Sequence, residues 1–141
     1  MIETIHAGCV AIGGRGVLLA GRSGSGKSDL ALRLIDRGAR LVSDDYTELS
    51  PEGGRLIARA PKRIAGKIEV RGVGILEMEA PREAPVSLFI DLDAAPERLP
   101  DGTKRRSLAG VDVPSVALAA LEASAPIKVE QALLLFGLPQ S

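Results

Sequence analysis

Gly21-Arg22-Ser23-Gly24-Ser25-Gly26-Lys27-Ser28 fits the pattern GxxxxGK[ST]. In such a loop the glycines let backbone N–H groups close around phosphate oxygens, the lysine reaches the β and γ phosphates, and the hydroxyl binds magnesium. From this composition the four fixed positions coincide by chance about once in 200 chains of this length. The flanking sequence adds the context that the motif needs, a strand ahead and a helix behind. All eight residues are therefore candidates for a nucleotide cradle, with Lys27 on the phosphates and Ser28 on the metal. The start of the helix adds a favourable field for anions.

Upstream, Ala7 to Ile12 and Arg15 to Ala20 flank Gly13-Gly14 and predict a β-hairpin with a two-residue turn. In that register Ile12 faces Arg15, and His6 falls opposite Gly21, where the loop begins. Downstream, Leu30, Ala31, Leu34 and Ile35 recur at helical spacing, while Asp29, Arg33, Asp36 and Arg37 take the other side. The helix is expected to run to about Arg37, with Gly38 as a left-handed stop. A short buried strand, Leu41-Val42-Ser43, then completes a βαβ unit and ends in Asp44-Asp45.

The rest of the chain departs from a purely wound α/β pattern. Tyr46 to Leu49 and Arg55 to Ala60 flank Pro51-Glu52-Gly53-Gly54 as a second hairpin. Ile68 to Arg71 alternates apolar and charged, Pro81 and Pro85 mark a loop, and Val86 to Leu92 reads as a strand. Ala94 to Thr103 reads as a loop, and Val113 to Glu122 fits helix and strand equally. Ser124 is the expected N-cap of a closing helix that carries Pro126, Val129, Ala132, Leu133 and Phe136 and ends at Gly137.

With 141 residues and 45% apolar content, the chain suffices for one domain, taken as residues 1–141. Eighteen basic and eighteen acidic side chains cancel, so no global field favours nucleic acid or an anionic membrane. Aromatic residues are 2%, too few for a base-stacking platform. No apolar run reaches the ~20 residues that cross a bilayer. The N-terminus lacks the pattern of a secretory signal, so the expected location is the cytoplasm. Cys9, alone in the chain, is expected to be a buried structural thiol.

Further candidates carry charge near the loop. Asp44-Asp45 stands at the carboxyl end of a strand, where open α/β sheets place their ligands. Neighbouring strand residues point to opposite sides, so one carboxylate is expected to face the phosphates and the other to be structural. The former could bind magnesium through water or accept a proton from an attacking hydroxyl. Glu69 and Arg71 share one strand face ahead of Gly72 and Gly74, as a second metal ligand and a phosphate clamp. His6 becomes a candidate only through the hairpin register. Lys104-Arg105-Arg106 reads as a solvated basic face, and Arg98 lies in a proline-flanked loop.

Several of these pieces together resemble one family: His6-Ala7-Gly8, GRSGSGKS at 21–28, Arg40-Leu41-Val42-Ser43-Asp44-Asp45, and above all Ile68-Glu69-Val70-Arg71-Gly72-Val73-Gly74-Ile75. They resemble the catalytic domain of HPr kinase/phosphorylase over about residues 4 to 100. The resemblance implies an α/β P-loop nucleotide-binding fold of the HPr kinase and PEP carboxykinase-like type, with a mixed sheet, an N-terminal β-hairpin and a C-terminal helix. It implies ATP and magnesium as cofactors and a serine of an HPr-like phosphocarrier as substrate. By the same resemblance Asp45 is the proton acceptor, Lys27 and His6 are active-site residues, and Ser28 and Glu69 hold magnesium. Arg71 belongs to the signature segment. Glu97-Arg98-Leu99 corresponds to the segment that bears a catalytic arginine, here Arg98. A symmetric homo-oligomer is the family's expectation.

Two departures shape the expected activity. The chain resembles the short form that consists of the catalytic domain alone. Where long members carry a loop tied to dephosphorylation, this sequence reads Gly110-Val111-Asp112-Val113-Pro114-Ser115-Val116-Ala117-Leu118. The expectation is therefore limited to the forward kinase reaction. The competing readings are an ATP-sensing module without phosphoryl transfer and a small-molecule kinase.

Overall fold

A computed structural model of the chain describes residues 1–139. The strands and helices are, in order, β1 (Glu3–Ile5), β2 (Ala7–Ile12), β3 (Arg15–Ala20), α1 (Lys27–Asp36), β4 (Arg40–Ser43), β5 (Thr47–Glu52), β6 (Arg55–Arg59), β7 (Lys67–Val70), β8 (Gly74–Glu77), β9 (Ala84–Asp91), β10 (Arg105–Leu108), β11 (Val111–Ala117) and α2 (Ala125–Phe136). A short 3-10 turn, Lys62–Ile64, precedes β7.

Paired glycines set the first registers. Gly13 and Gly14 have φ of 57° and 83°, the left-handed pair that a two-residue hairpin turn requires. β2 and β3 accordingly pair from Ile12↔Arg15 to Ala7↔Ala20, the register expected from the sequence. Gly53 and Gly54, at 58° and 79°, turn β5 into β6 in the same way. Pro51 falls inside β5 opposite Leu56, beyond the reach of β1, whose pairing stops at Glu3↔Leu49. A proline is tolerated there because no further strand needs its missing N–H.

The main sheet runs β1-β5-β6-β9-β3-β2-β4, with β11 beside β9 and β10 beside β11. β11, β9 and β3 are mutually parallel, whereas β2 is antiparallel to β3. β4 is antiparallel to β2 and so runs parallel to β3. The expected crossover from strand through helix to parallel strand is thus present, with one modification: β2 lies between the two parallel strands. The N-terminal hairpin occupies the position that a simple βαβ unit leaves to direct pairing.

β3 and β9 are buried on both faces, and their side chains alternate between two apolar clusters. Val17, Leu19, Leu88 and Ile90 join Leu30 and Leu34 of α1 and Val129 and Leu133 of α2. Leu18 and Phe89 point the other way, into Cys9, Val42, Leu49, Leu56 and Val113. This explains the near-continuous apolar runs of the two central strands. β7 and β8 form a separate hairpin, with Ile68 fully buried in the helix-side cluster. Among the described residues no helix is long and apolar enough to cross a membrane.

Some local expectations change. Pro85 lies within β9 rather than in a loop, paired with Ile57. The ambiguous stretch from Val113 is strand as far as Ala117, and α2 begins only at Ala125. β10 takes in the basic residues Arg105 and Arg106. Ser124 holds the N-cap position of α2, but its backbone is α-helical and its side chain makes no capping bond. Gly137 ends the helix in extended conformation, its N–H donating to the Leu133 carbonyl.

Candidate functional site

The loop between β3 and α1 is shaped by glycines with different jobs. A Cβ on Gly21 would stand 2.6 Å from Ser25 Oγ and 3.2 Å from Leu92 Cβ, so a side chain there would crowd the closed loop. Gly24 and Gly26 have φ of 84° and 97°, in the region that L side chains avoid. The closed loop is held by the Ser25 N–H on the Arg22 carbonyl at 3.0 Å and by the Arg22 N–H on the Asp93 carboxylate at 3.0 Å. Gly26 occupies the N-cap position of α1, and no side chain caps the first turn. The first N–H groups of the helix are therefore open to an anion. Ser25 Oγ is buried without a partner among the described residues.

Lys27 is the first residue of α1, and its side chain is only 6% exposed. Its ammonium donates to the Arg22 carbonyl at 3.2 Å and lies 3.8 Å from Asp45 Oδ1. A buried ammonium with so few partners is suited to meeting a further anion. Ser28 Oγ donates to Asp44 Oδ1 at 2.7 Å, and the other oxygen of Asp44 accepts the Glu69 N–H at 2.9 Å. Asp44 thereby joins the start of α1 to the β7–β8 hairpin.

Asp45 follows with φ of 66°, a left-handed backbone two residues after β4 ends at Ser43. Its Oδ1 is 2.9 Å from His6 Nε2. The His6 ring in turn stacks on Tyr46, centroids 4.9 Å apart. The β2–β3 ladder stops at Ala7, one pair short of His6, which frees the ring to turn toward the strand-end aspartates.

These groups surround one cavity of about 520 Å³, lined by the loop and the start of α1 together with Asp44, Asp45, Glu69 and Arg71. Most of the site residues expected from the sequence converge here, including Lys27, Ser28, Asp45, Glu69 and Arg71. His6 joins through Asp45. Arg98 does not line the cavity; it lies on the exposed loop after β9 and makes no hydrogen bond or ion pair among the described residues. The basic run is otherwise engaged: Lys104 pairs with Glu97 at 2.7 Å, and the Arg106 guanidinium lies 4.8 Å over the Phe89 ring.

One expectation about this site is corrected. The two aspartates were expected on opposite sides, as in a continuing strand, yet both line the cavity. The left-handed backbone at Asp45 breaks the alternation. Asp44 accepts from the Ser28 hydroxyl and from the Glu69 N–H together. Tyr46 was also missed as a neighbour of His6. The only sequence signal for it is its place directly after the aspartates. Cys9 is buried as expected, and burial pushes its thiol up to about 12.

The donors present suit a magnesium–nucleotide. Ser28, Asp44 and Glu69 offer hard oxygens, while among the described residues no three His, Cys, Asp or Glu side chains form a metal cage. Magnesium is usually held by one or two carboxylates with substrate phosphates completing its shell.

The chain resembles known proteins over most of its length. It is 47% identical over 74 residues to an HPr kinase/phosphorylase of Clostridium beijerinckii, covering 52% of this chain and 24% of that protein. It is 33% identical over 129 residues to an HPr kinase/phosphorylase of Pediococcus pentosaceus, covering 82% of this chain and 41% of the other. The chain thus spans less than half the length of these curated relatives. The solved structure described as that of the Hpr(Ser) kinase/phosphatase from Coxiella burnetii superposes with a TM-score of 0.79 at 30% identity, covering 94% of each chain. A family model described as HPr Serine kinase C-terminal domain matches residues 2–132, and with it the loop, both aspartates and the β7–β8 hairpin. By sequence and by fold, this chain belongs to the HPr serine kinase C-terminal domain family.

Proposed function

We propose that this chain is a cytoplasmic protein-serine kinase that transfers the γ-phosphoryl group of ATP to a serine of an HPr-like phosphocarrier. The observation that carries the reading is Asp45, a carboxylate at the cavity held 2.9 Å from His6 and 3.8 Å from the loop lysine. Residues 21–28 act as a P-loop. The open N-terminus of α1, the loop N–H groups and the buried Lys27 bind the phosphates. Ser28 and Glu69 hold magnesium, with Asp44 fixing the Ser28 hydroxyl. Magnesium, when bound, neutralises charge on the phosphates and favours the leaving group.

In the proposed reaction Asp45 takes the proton of the carrier serine as its oxygen bonds to the γ phosphorus and the bond to ADP breaks. His6 orients Asp45 through Oδ1, and Lys27 offsets charge developing on the transferred group. Arg71 lines the same cavity and clamps phosphate oxygens. Arg98 is assigned a catalytic role on the resemblance alone, since it does not line the cavity. Residues 1–141 work as one catalytic unit, within a symmetric homo-oligomer. The reaction is limited to the kinase direction, because the sequence at 110–118 lacks the loop that the long members use for dephosphorylation.

The test is mass spectrometry of the HPr-like protein of the same organism after incubation with the chain, ATP and magnesium. A phosphoserine that requires all three supports the reading, and an unmodified carrier at full turnover times refutes it. Release of inorganic phosphate from the phosphorylated carrier would overturn the limit to one direction.

A further inference from the structure

Leu121 is one of the cavity residues that the proposed chemistry leaves unused. Its side chain is 76% exposed, although it lines the same cavity as Lys27 and Ser28. Bare leucines are ordinary, and Leu134 and Leu135 of α2 are about as exposed, but Leu121 is set apart by lining the cavity on a backbone fastened from several sides. The Leu118 N–H donates to the Asp91 carbonyl at 3.1 Å, and the Ala125 N–H to the Glu122 carbonyl at 3.0 Å. The Arg33 guanidinium, itself held by Asp29 at 3.0 Å, donates to the carbonyls of Ala120 and Glu122, one on either side of Leu121. Ala120 is buried beneath.

The segment is also seated directly on the loop. A Cβ at Gly26 would approach Leu121 Cδ2 to 3.0 Å and Ala120 Cβ to 3.2 Å. Leu121 therefore stands at the rim of the phosphate cradle, on the segment that follows β11, two strands across the sheet from β3. Leu32, in the second turn of α1 and half-buried, is a second leucine that lines the cavity. Asp44, Asp45 and Glu69 enter from the end of β4 and from β7, and the one carboxylate that α1 brings to the cavity, Asp29, is paired with Arg33. One cavity thus combines a polar set suited to phosphates and a fixed apolar set suited to a flat, uncharged ring.

From this juxtaposition we infer that Leu121, with Leu32, is the platform on which the purine ring of the nucleotide rests. The inference depends on the nucleotide reading given above and adds the subsite for the base. Its occupant is the base of the same ATP whose phosphates enter the loop, because the platform and the cradle share Gly26 as a wall. An apolar leucine face meets a purine by area and shape, so its contribution to affinity appears for nucleotides and is absent for the bare phosphate chain.

The experiment compares the full chain with Leu121→Ser, titrated by calorimetry with magnesium–ATP and, separately, with magnesium–tripolyphosphate. Leu121→Ser is expected to weaken ATP about tenfold and to leave tripolyphosphate within about twofold. The wild-type Leu121 methyl signals should move upfield with ATP under the ring current of the base and stay in place with tripolyphosphate. Equal ATP affinity in the two proteins overturns the platform while leaving the nucleotide reading intact. A matched loss of both ligands overturns it too, since the residue would then merely support the loop. A wild-type chain that binds neither ligand overturns the nucleotide reading itself, and the platform with it.

Discussion

Asp45 differs from its neighbours in backbone as well as in charge. Its φ of 66° lies where L residues other than Asn and Asp are seldom found, and that conformation turns its carboxylate back to His6 and Lys27. The substitution that isolates its chemistry is Asp45→Asn, because asparagine tolerates the left-handed backbone and keeps an oxygen for His6, but accepts no proton at neutral pH. Transfer to the carrier should fall about 10²- to 10⁴-fold, the usual contribution of a positioned base, while magnesium–ATP still binds. Single-turnover transfer and ATP titration of the same variant check both halves. Undiminished transfer would remove Asp45 from the role of proton acceptor. A variant that kept partner regulation without transfer would instead favour a nucleotide sensor.

At the scale of elements, the helix that carries Lys27 is held by its apolar face. Leu30 and Leu34 are fully buried against β3 and β9, whereas Asp36, two residues beyond Leu34, is exposed. Leu34→Ala should cost about 2–5 kcal/mol, the transfer term plus the cavity left behind, and Asp36→Ala less than about 0.5 kcal/mol. Urea unfolding should show this as a lower midpoint at unchanged slope. This helix was legible in the sequence because its period, its loop and Gly38 agree, and the glycine-pair hairpins were legible for a similar reason. β10 was not. Three of its four residues, Arg105, Arg106 and Ser107, are exposed, and its turn carries Ala109 at φ of 48° in place of a first glycine. Its order comes from pairing with β11 and from Arg106 over Phe89, contacts that no local pattern announces. The site divides in the same way. Lys27, Ser28 and Asp45 stand in or near recognisable motifs. The role of Asp44 depends on the β7–β8 hairpin bringing the Glu69 N–H to it, and the place of Leu121 depends on a segment returning from far along the chain.

The whole molecule has two apolar clusters but not two independent halves. Val17 and Leu19 face one cluster and Leu18 the other, and Leu88, Phe89 and Ile90 divide likewise, so neither face can lose its packing while β3 and β9 keep theirs. The chain should accordingly unfold in one transition. Cys9 reports on the cluster away from the helices, where it is fully buried, and helical circular dichroism reports on α1 and α2. Thiol labelling at pH 8 should be negligible in the native protein and should rise with urea along the same curve as the loss of helix. The raised thiol adds a pH signature. Unfolded chains lose the Cys9 proton around the ordinary 9.0, whereas the folded chain keeps it to about 12. The unfolded state then holds fewer protons than the native state, so stability should fall as pH rises from about 9 toward 12. Cys9→Ala should lack that component of the slope. Labelling that runs ahead of helix loss would mean that the face bearing Cys9 opens by itself. The strands that carry the loop into the site would then be supported from one side only, and the 3.8 Å spacing of Lys27 and Asp45 would no longer be fixed by the sheet as a whole.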